Sequence, residues 1–237
     1  MSECIVITSG KGGVGKTTTS ANLGVALALQ GATVAVVDAD IGLRNLDVIL
    51  GLENRIVYDL VHVIEGECRL KQALIRDKRA EGLYLLPAAQ TRDKNAVAGA
   101  DRAVIVTTPE VSAIRDADRI IGMVEAAELP EPQLIINRYR NKMVSRGDMM
   151  NKEDILEILA IPLLGIVPDH EDIIISANRG VPAVFDEASV VGEAFRRCAR
   201  RVAGEPDVPE LDFSEGNGLW GTMKRWMGFG AAAQGVA

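Results

Sequence analysis

Short apolar runs rich in β-branched residues alternate along this chain with longer stretches of helical pattern. Several runs are apolar throughout, as expected of strands that are covered on both faces. The predicted strands are Ile5–Thr8, Thr33–Val37, Leu83–Leu86, Ala103–Val106, Leu134–Ile136 and Leu163–Val167. The predicted helices are Thr17–Gln30, Ala113–Ala127, Lys152–Leu159 and Ser189–Val202. The alternation predicts an α/β fold with a doubly wound, mostly parallel sheet.

The first predicted strand leads into a glycine-rich loop, Gly10-Lys11-Gly12-Gly13-Val14-Gly15-Lys16-Thr17. This loop matches G-x-x-x-x-G-K-[ST], and a strand before it and a helix after it are the context that the pattern requires. Glycines let the backbone N–H groups approach a triphosphate closely. The alternative, a glycine-rich turn that binds nothing, does not explain the agreement of all fixed positions. The loop therefore predicts an ATP site, in which Lys16 meets the β/γ oxygens and Thr17 offers a hydroxyl to Mg²⁺.

Two carboxylates, Asp38 and Asp40, follow the predicted strand Thr33–Val37. Ligands in such folds bind beyond the carboxyl ends of parallel strands. Asp38 could hold Mg²⁺ through water, and Asp40 could orient an attacking water. A single Asp after a strand is often a cap or a turn residue, but two at i and i+2 favour a place in the site.

Bulk properties exclude some classes of function. A net charge of −7 disfavours broad attachment to DNA or to an anionic bilayer, so any such contact needs a local basic patch. The three cysteines show no metal-ligand spacing and suit a reducing compartment, and Cys4 and Cys198 are expected to be buried. The first residues carry no signal-peptide pattern and no run of 18 apolar residues occurs, so we expect a cytoplasmic location.

The chain divides into unlike segments, most of which lie near its C-terminus. We expect a nucleotide-binding domain over 1–203, an acidic linker over 204–218, a helix over 219–229 and a small-residue tail over 230–237. The helix places its apolar side chains on one arc of about 120°, between Lys224 and Arg225. These side chains are Leu219, Trp220, Met223, Trp226 and Met227. Tryptophans with basic flanks favour a helix in the bilayer interface, and docking on the core is the alternative.

One interval does not suit the predicted sheet. Only 16 residues, Pro87 to Arg102, lie between the strands Leu83–Leu86 and Ala103–Val106, and they carry no amphipathic pattern. A parallel pair needs a crossover of a dozen or more residues, usually helical. The interval has the length of a crossover without its pattern.

Lys11 is an additional lysine within the loop, and it marks the deviant P-loop of the ParA/MinD class. Later segments make the chain resemble the MinD family of septum site-determining ATPases over nearly its whole length. The segments that carry the resemblance are Val37–Asp47, Gln90–Lys94, Thr108–Ser112 and Val144–Met149. In that family Lys11 would reach the nucleotide of the other subunit and stabilise transition-state charge. From the residues alone, Lys11 could simply be solvated.

The resemblance implies a set of site residues. The expected catalytic residues are Lys11, Lys16 and Asp40, and the expected Mg²⁺ ligands are Thr17 and Asp38. The expected nucleotide contacts are Gly10, Lys11, Gly12, Gly13, Val14, Gly15, Lys16, Thr17, Thr18, Asn137, Pro168 and Asp169. Asn137 could read a base edge through its amide, and an ordinary turn residue is the alternative.

The resemblance also implies partners and location. We expect a homodimer on ATP binding, recruitment of the inhibitor MinC, a response to MinE and no direct contact with nucleic acid. Asp116 and Asp118 fall where the family meets MinC, although on sequence alone they are a solvated helix face. The C-terminal helix would bind anionic inner-membrane lipids, which makes the protein peripheral on the inner face of the plasma membrane. Dimerisation would double this weak anchor.

The chain departs from the family between Lys94 and Ala98. The family has a further helix and strand there, about 30 residues, that include the second switch. We expect the missing strand to lie beside the strand that feeds the phosphate loop, and its absence to cripple hydrolysis. Either the polypeptide is shorter than its family or the full polypeptide carries a segment that this sequence omits. The intact mass distinguishes these cases.

Two other functions stay open. A ParA-type partitioning ATPase would need a basic surface patch and no amphipathic C-terminal helix. A catalytically impaired nucleotide-binding scaffold is suggested only by the missing segment.

Overall fold

The computed structural model describes residues 2–38, 45–87, 100–130 and 132–211. Predictions for Asp40, for the interval around 95–98 and for the membrane helix 219–229 lie outside these residues. Within the described part, no helix is long and apolar enough to span a bilayer.

The strands and helices alternate much as the sequence predicts. The strands are β1 Ile5–Thr8, β2 Val34–Val37, β3 Ile75–Arg76, β4 Leu83–Leu86, β5 Arg102–Thr107, β6 Gln133–Tyr139 and β7 Leu163–Pro168. The helices are α1 Lys16–Leu29, α2 Leu46–Ile49, α3 Leu60–Ile64, α4 Leu70–Ala73, α5 Val111–Ala126, α6 Asn141–Val144, α7 Lys152–Leu159, α8 Asp172–Arg179 and α9 Val190–Val202. Turns of 3-10 helix lie at Glu53–Arg55 and Ala183–Phe185.

The described strands form two sheets. The first has the order β1-β5-β6-β7 and is parallel throughout. The second has the order β2-β4-β3, in which β2 and β4 are parallel and the short β3 is antiparallel. The prediction of a mostly parallel α/β architecture is confirmed. Among the described residues, however, β1 and β2 are not paired, so the expected single sheet is divided.

Helices cover the first sheet on both faces. On one face α1 and α9 bury a cluster that includes Val104, Val106, Ile135 and Phe195. On the other face α5 and α7 cover a second cluster around Ile105 and its neighbours on β6. The arrangement places the start of α1 beyond the carboxyl end of β1, where an α/β sheet binds its ligands.

The cysteines behave in different ways. Cys198 is fully buried, and burial raises the pKa of its thiol to about 12, so it acts as a small apolar side chain. The expectation that Cys4 is buried is wrong: Cys4 is exposed, because it precedes β1 and its N–H bonds the side chain of Asp101 at the surface.

The first part of the predicted linker is held against the domain. The Arg200 guanidinium forms an ion pair with Glu205, and Lys152 forms one with Glu210 at 2.9 Å. Val208 is buried, and its carbonyl accepts a hydrogen bond from Arg201 at 2.8 Å. Residues 204–211 therefore pack on α9 and α7, and a free linker is a prediction for residues 212–218 only.

Candidate nucleotide site

The loop between β1 and α1 has the backbone that close approach to a phosphate requires. Gly13 and Gly15 have φ values of 80° and 101°, a conformation that residues with a side chain rarely adopt. Space beside Gly12 and Gly13 is open, since a Cβ there would meet nothing within 4 Å. Both residues are exposed, so their backbone is accessible to a ligand.

The N-terminus of α1 has no side chain that caps it in the described structure, and its first turn has no acidic residue. Its first N–H groups therefore lack the partners that a Ser, Asp or Glu side chain usually supplies. The helix dipole adds partial positive charge at the same place. The loop and the helix start together fit an anion such as a triphosphate.

The two lysines of the loop are placed differently. The Lys16 ammonium, on the first residue of α1, donates to Ser9 Oγ at 3.0 Å and is half-buried. The Lys11 ammonium leaves the loop and reaches the start of α5, where it lies 3.3 Å from Glu110 Oε2 and 3.2 Å from Ser112 Oγ. The Lys11 and Glu110 side chains are 43% and 56% exposed, so their ion pair is weak and easily exchanged.

Asn137 lies beneath the loop. Its side chain is buried, and its Nδ2 donates to the carbonyl oxygen of Val14 at 2.8 Å. A Cβ at Gly15 would lie 2.3 Å from the same Nδ2, so this glycine makes room for the amide. The family resemblance implied that Asn137 contacts the base, with an ordinary turn residue as the alternative. In the structure its Nδ2 holds the backbone of the phosphate loop.

A bulge in β6 accounts for the position of Asn137. The pairing of β6 with β7 shifts register between Ile136 and Tyr139. Arg138, within that shift, has φ 57°, an uncommon value for a non-glycine residue. Asn137 and Tyr139 are buried whereas Arg138 is exposed. Bulges often redirect side chains beside functional sites.

We predict that Asn137→Ala weakens ATP binding by roughly tenfold, since a buried carbonyl without its donor costs about 1–3 kcal/mol. Calorimetric titration with Mg-ATP measures the affinity. Asn141 is exposed and begins helix α6, which follows the same end of β6. Asn141→Ala is therefore the matched control and should leave the affinity unchanged. Equal affinities for Asn137→Ala and the wild type would remove Asn137 from the site.

Pro168 and Asp169 lie at the neighbouring strand end. Pro168 is the last residue of β7 and pairs with Tyr139 of β6. The N–H of Asp169 donates to the Tyr139 carbonyl at 3.1 Å, and its carboxylate forms an ion pair with Arg140. The predicted nucleotide contacts on β6 and β7 thus lie at adjoining strand ends, with Asn137 next to the phosphate loop.

The two predicted Mg²⁺ ligands, Asp38 and Thr17, lie on different elements of the fold. Asp38 directly follows β2 and is buried, and its Oδ2 accepts a hydrogen bond from the N–H of Leu46 at 3.4 Å. Thr17 and Thr18 are half-buried in the first turn of α1. A hydroxyl and a carboxylate are ligands of the kind that Mg²⁺ takes. Asp40 lies outside the described residues, so its catalytic role stays a prediction.

The predicted partner residues share a helix that contacts the phosphate loop. A Cβ at Gly10 would lie 2.2 Å from the carbonyl oxygen of Asp116, so α5 packs against the loop backbone. Asp116 is half-buried and lies 3.6 Å from Arg119, whereas Asp118 is exposed. Glu110 and Ser112, at the start of the same helix, contact Lys11. Sequence reasoning missed these two residues, because only the fold brings them to the loop.

Comparison with known proteins identifies the family. The model of the CobQ/CobB/MinD/ParA nucleotide binding domain matches residues 5–183. The septum site-determining protein MinD of Bacillus subtilis is 47% identical over 265 aligned positions, which cover 96% of this chain and 99% of that protein. The aligned length exceeds the length of this chain, so about 37 positions (265 less the 96% of 237 residues that are aligned) have no counterpart here.

Solved structures agree with the sequence matches. The MinD chain of the MinC:MinD cell division protein complex of Aquifex aeolicus has a TM-score of 0.82 and 45% identity, with 86% of this chain and 96% of that chain covered. The septum site-determining protein MinD of Pyrococcus horikoshii, solved with Mg-ADP, has a TM-score of 0.74 and 28% identity, with 85% and 96% covered.

Proposed function

This chain belongs to the MinD septum site-determining proteins of the CobQ/CobB/MinD/ParA nucleotide-binding family. On that premise we propose that it is a peripheral-membrane ATPase that dimerises on ATP and places the division septum. In this proposal it recruits MinC and responds to MinE. The observation that carries the proposal is the phosphate loop with two lysines in different positions. The relatives and their complexes supply the biological context.

Each lysine has its own task in the proposed dimer. Lys16, at the start of α1, would bind the phosphates of its own subunit's nucleotide. Lys11 is directed away from the loop, and among the described residues it contacts Glu110 and Ser112 at exposed positions. It can therefore exchange these contacts for a nucleotide held by a second copy, where its charge would oppose the charge that develops in the transition state.

The remaining residues orient the nucleotide. Asn137 donates to the Val14 carbonyl and would so hold the loop in the conformation that receives the phosphates. Thr17 and Asp38 would hold Mg²⁺, which when bound neutralises phosphate charge. Pro168 and Asp169 would line the base side of the site, and Asp40 would position the attacking water.

Contact between α5 and the loop supports a link between nucleotide state and partner binding. Asp116 and Asp118, the proposed MinC contacts, lie on the helix that packs on Gly10 and whose start binds Lys11. A change in the position of Lys11 on dimerisation would act directly on the first turn of that helix. The MinC:MinD complex of Aquifex aeolicus shows that a relative binds this class of partner.

The segment that this chain lacks bears on hydrolysis more than on binding. The phosphate loop, α1 and Asn137 are in place in the structure. The strand next to β1 that the family carries has no counterpart among the described pairings. We therefore expect ATP binding to be retained and turnover to be slow. Because binding can be retained without turnover, a nucleotide-binding scaffold is the second candidate function.

Vesicle binding tests the proposed function. We predict that the chain sediments with anionic vesicles in the presence of Mg-ATP, and that the double variant Trp220→Glu/Trp226→Glu loses sedimentation by about tenfold or more, because two charges enter the apolar arc. ATP affinity should not change, since both tryptophans are distant in sequence from the phosphate loop. ATP turnover is measured in the same samples, with and without vesicles.

The control is Tyr58→Glu, which changes an aromatic residue of the domain and should leave sedimentation unchanged. Sedimentation of the double variant at the wild-type level would contradict membrane attachment by this helix. Sedimentation with DNA in place of vesicles would favour the partitioning function. Binding of ATP and vesicles with no turnover in any sample would favour the scaffold.

A further inference from the structure

The last described residues, 205–211, fold back along helix α9, and we call them the strap. Arg201, near the end of α9, donates to the Val208 carbonyl at 2.8 Å. Arg197, one turn earlier in the helix, donates to the Glu210 carbonyl at 2.6 Å. Later residues of the strap thus meet earlier residues of the helix, so the strap runs antiparallel to α9.

The strap lies along the free edge of the first sheet. Strand β7 ends that sheet and, among the described strands, pairs only with β6. The guanidinium of Arg201, which holds the strap through Nη2, donates through Nη1 to the Leu164 carbonyl of β7 at 2.7 Å. Val208 is buried, and Leu211 is half-buried against the core cluster beneath α9. Folded proteins commonly cover sheet edges in this way, so the strap is part of the domain.

A salt bridge fixes the last part of the strap on the side of the domain that carries the nucleotide site. The Glu210 carboxylate lies 2.9 Å from the ammonium of Lys152, the first residue of α7. The Lys152 backbone hydrogen-bonds the hydroxyl of Tyr139, the last residue of β6. The Tyr139 carbonyl accepts the N–H of Asp169, a predicted nucleotide contact. The strap therefore runs towards the carboxyl ends of β6 and β7, where an α/β sheet binds its ligands.

The side chains that hold the strap are largely covered and well oriented. The Arg197 and Lys152 side chains are 22% and 26% exposed. Glu193 accepts a hydrogen bond from Arg197 at 2.7 Å and so orients its guanidinium. Hydrogen bonds from charged donors are stronger than those between neutral groups. The strap is therefore fastened at several points, unlike a free linker.

We propose that the strap is a fixed mount for the membrane helix, and that Arg197 and Arg201 are its positioning residues. With the strap in place, only the seven residues 212–218 separate the domain from the predicted helix 219–229. With the strap released, the tether would be the fifteen residues 204–218. This role rests on the proposed membrane attachment and adds the residues that set the reach of the helix.

Tether length determines how well two copies bind one membrane together. In the proposed ATP-dependent dimer, the second helix binds at an effective concentration that falls as roughly the −3/2 power of tether length. A change from seven to fifteen residues therefore lowers the apparent affinity of the dimer for vesicles by about threefold. A monomer binds through one helix, so its affinity does not depend on the tether. The mount strengthens membrane binding in the dimer alone.

The test variant is Arg197→Ala/Arg201→Ala, which removes two donors to the strap. Titration with anionic vesicles is followed by tryptophan fluorescence, since both tryptophans of the chain, Trp220 and Trp226, lie in the predicted helix. With Mg-ATP we expect the apparent affinity to fall by about threefold, and without nucleotide we expect no change. Hydrogen exchange should become faster in the strap. General damage to the fold would lower the affinity in both conditions.

The matched control is Arg196→Ala/Arg200→Ala, which removes the same charge from the same helix. Arg196 donates to the Val184 carbonyl, in the turn before α9. Arg200 pairs with Glu205 at the start of the strap, so its loss leaves the far end of the strap in place. Vesicle affinity with Mg-ATP should equal that of the wild type.

A second variant keeps every contact of the strap, so it does not depend on how well the arginine variant folds. A Gly/Ser segment as long as 204–211 is inserted after Leu211, and we expect the same threefold loss, about, with Mg-ATP only. Wild-type affinity in both variants would overturn the mount, as would equal losses with and without nucleotide. If the wild type itself does not bind vesicles, the proposed membrane attachment fails and the mount fails with it. If the wild type binds and the variants match it, the mount alone fails.

Discussion

Lys16→Ala is expected to lower ATP affinity by about 100-fold or more, because the variant loses the one charge that the first turn of α1 brings to the phosphates. The Lys16 ammonium is half-buried and its nearest described partner is the neutral Ser9 hydroxyl at 3.0 Å. The ammonium therefore loses only a hydrogen bond to a neutral group when it binds a phosphate. Titration calorimetry with Mg-ATP measures the loss, and circular dichroism shows that the variant is folded.

Lys11→Ala is the matched control for this prediction. Lys11 belongs to the same loop, but its ammonium contacts Glu110 and Ser112 at the surface. Exposed ion pairs contribute about 0–1 kcal/mol, so we expect affinity for ATP within about fivefold of the wild type. ATP-dependent dimerisation, measured by light scattering, should be lost. Equal loss of binding in both variants would contradict the separate tasks of the two lysines.

The longer helices of this fold were predictable because their pattern repeats over two turns or more, and several strands were predictable because they are short runs rich in apolar residues. The helix Lys152–Leu159 and the strands Ile5–Thr8 and Leu83–Leu86 have the predicted bounds. Short helices such as Leu46–Ile49 and Leu70–Ala73 were not predicted. Four residues make little more than one turn, so such a segment carries no periodic signal and owes its shape to packing.

The site was predictable in its residue types but less so in its contacts. The loop motif alone identified Gly10 to Thr17, since its spacing is specific. The bulge that buries Asn137 beneath Val14 depends on the pairing of β6 with β7, which sequence does not reveal. The contact of Lys11 with Glu110 joins residues 99 positions apart. Long-range contacts of this kind follow from the topology and not from local pattern.

The interval after Leu86, which lacks the helical pattern of a crossover, was the most informative departure of the sequence from the predicted sheet. The interval has the length of a crossover without its helical pattern, and the described strands divide between β1 and β2. The second sheet is also held by side-chain contacts, among them those of Arg79, which follows β3.

Arg79→Leu is expected to lower the free energy of unfolding by about 3–5 kcal/mol, because it leaves a buried carboxylate without its partner. The Asp77 side chain is 1% exposed and lies 2.6 Å from the Arg79 guanidinium. The same guanidinium donates to the carbonyls of Leu50 and Gly180 and lies over the Phe185 ring. Arg79 thus joins β3 and its loop to α2 and α8. Urea unfolding at pH 7 measures the change.

Arg76→Leu is the matched control. Arg76 ends β3, and its ion pair with Glu81 has side chains that are 56% and 92% exposed. Loss of such a surface pair should cost about 0–1 kcal/mol. If Arg76→Leu lost as much stability as Arg79→Leu, any change at β3 would be destabilising. Burial of the pair of Asp77 and Arg79 would then not explain the effect of Arg79→Leu.

The pH dependence separates the ion pair from simple packing. Burial of Asp77 raises the pKa of its carboxyl, but hydrogen bonds from Arg79 and the charge of Arg79 outweigh burial and leave the pKa below its usual value. In the wild type, the Asp77 contribution is therefore present above about pH 4 and is lost as pH falls through the lowered pKa. In Arg79→Leu the side-chain hydrogen bond and the charge are lost, while burial and the backbone N–H groups of residue 79 and Ala80 remain. The pKa of Asp77 is therefore higher in the variant than in the wild type, and protonation of Asp77 reduces the loss of stability as pH falls. The difference in stability between wild type and variant should shrink from pH 7 towards pH 4, and a constant difference would mean that Arg79 acts through packing alone.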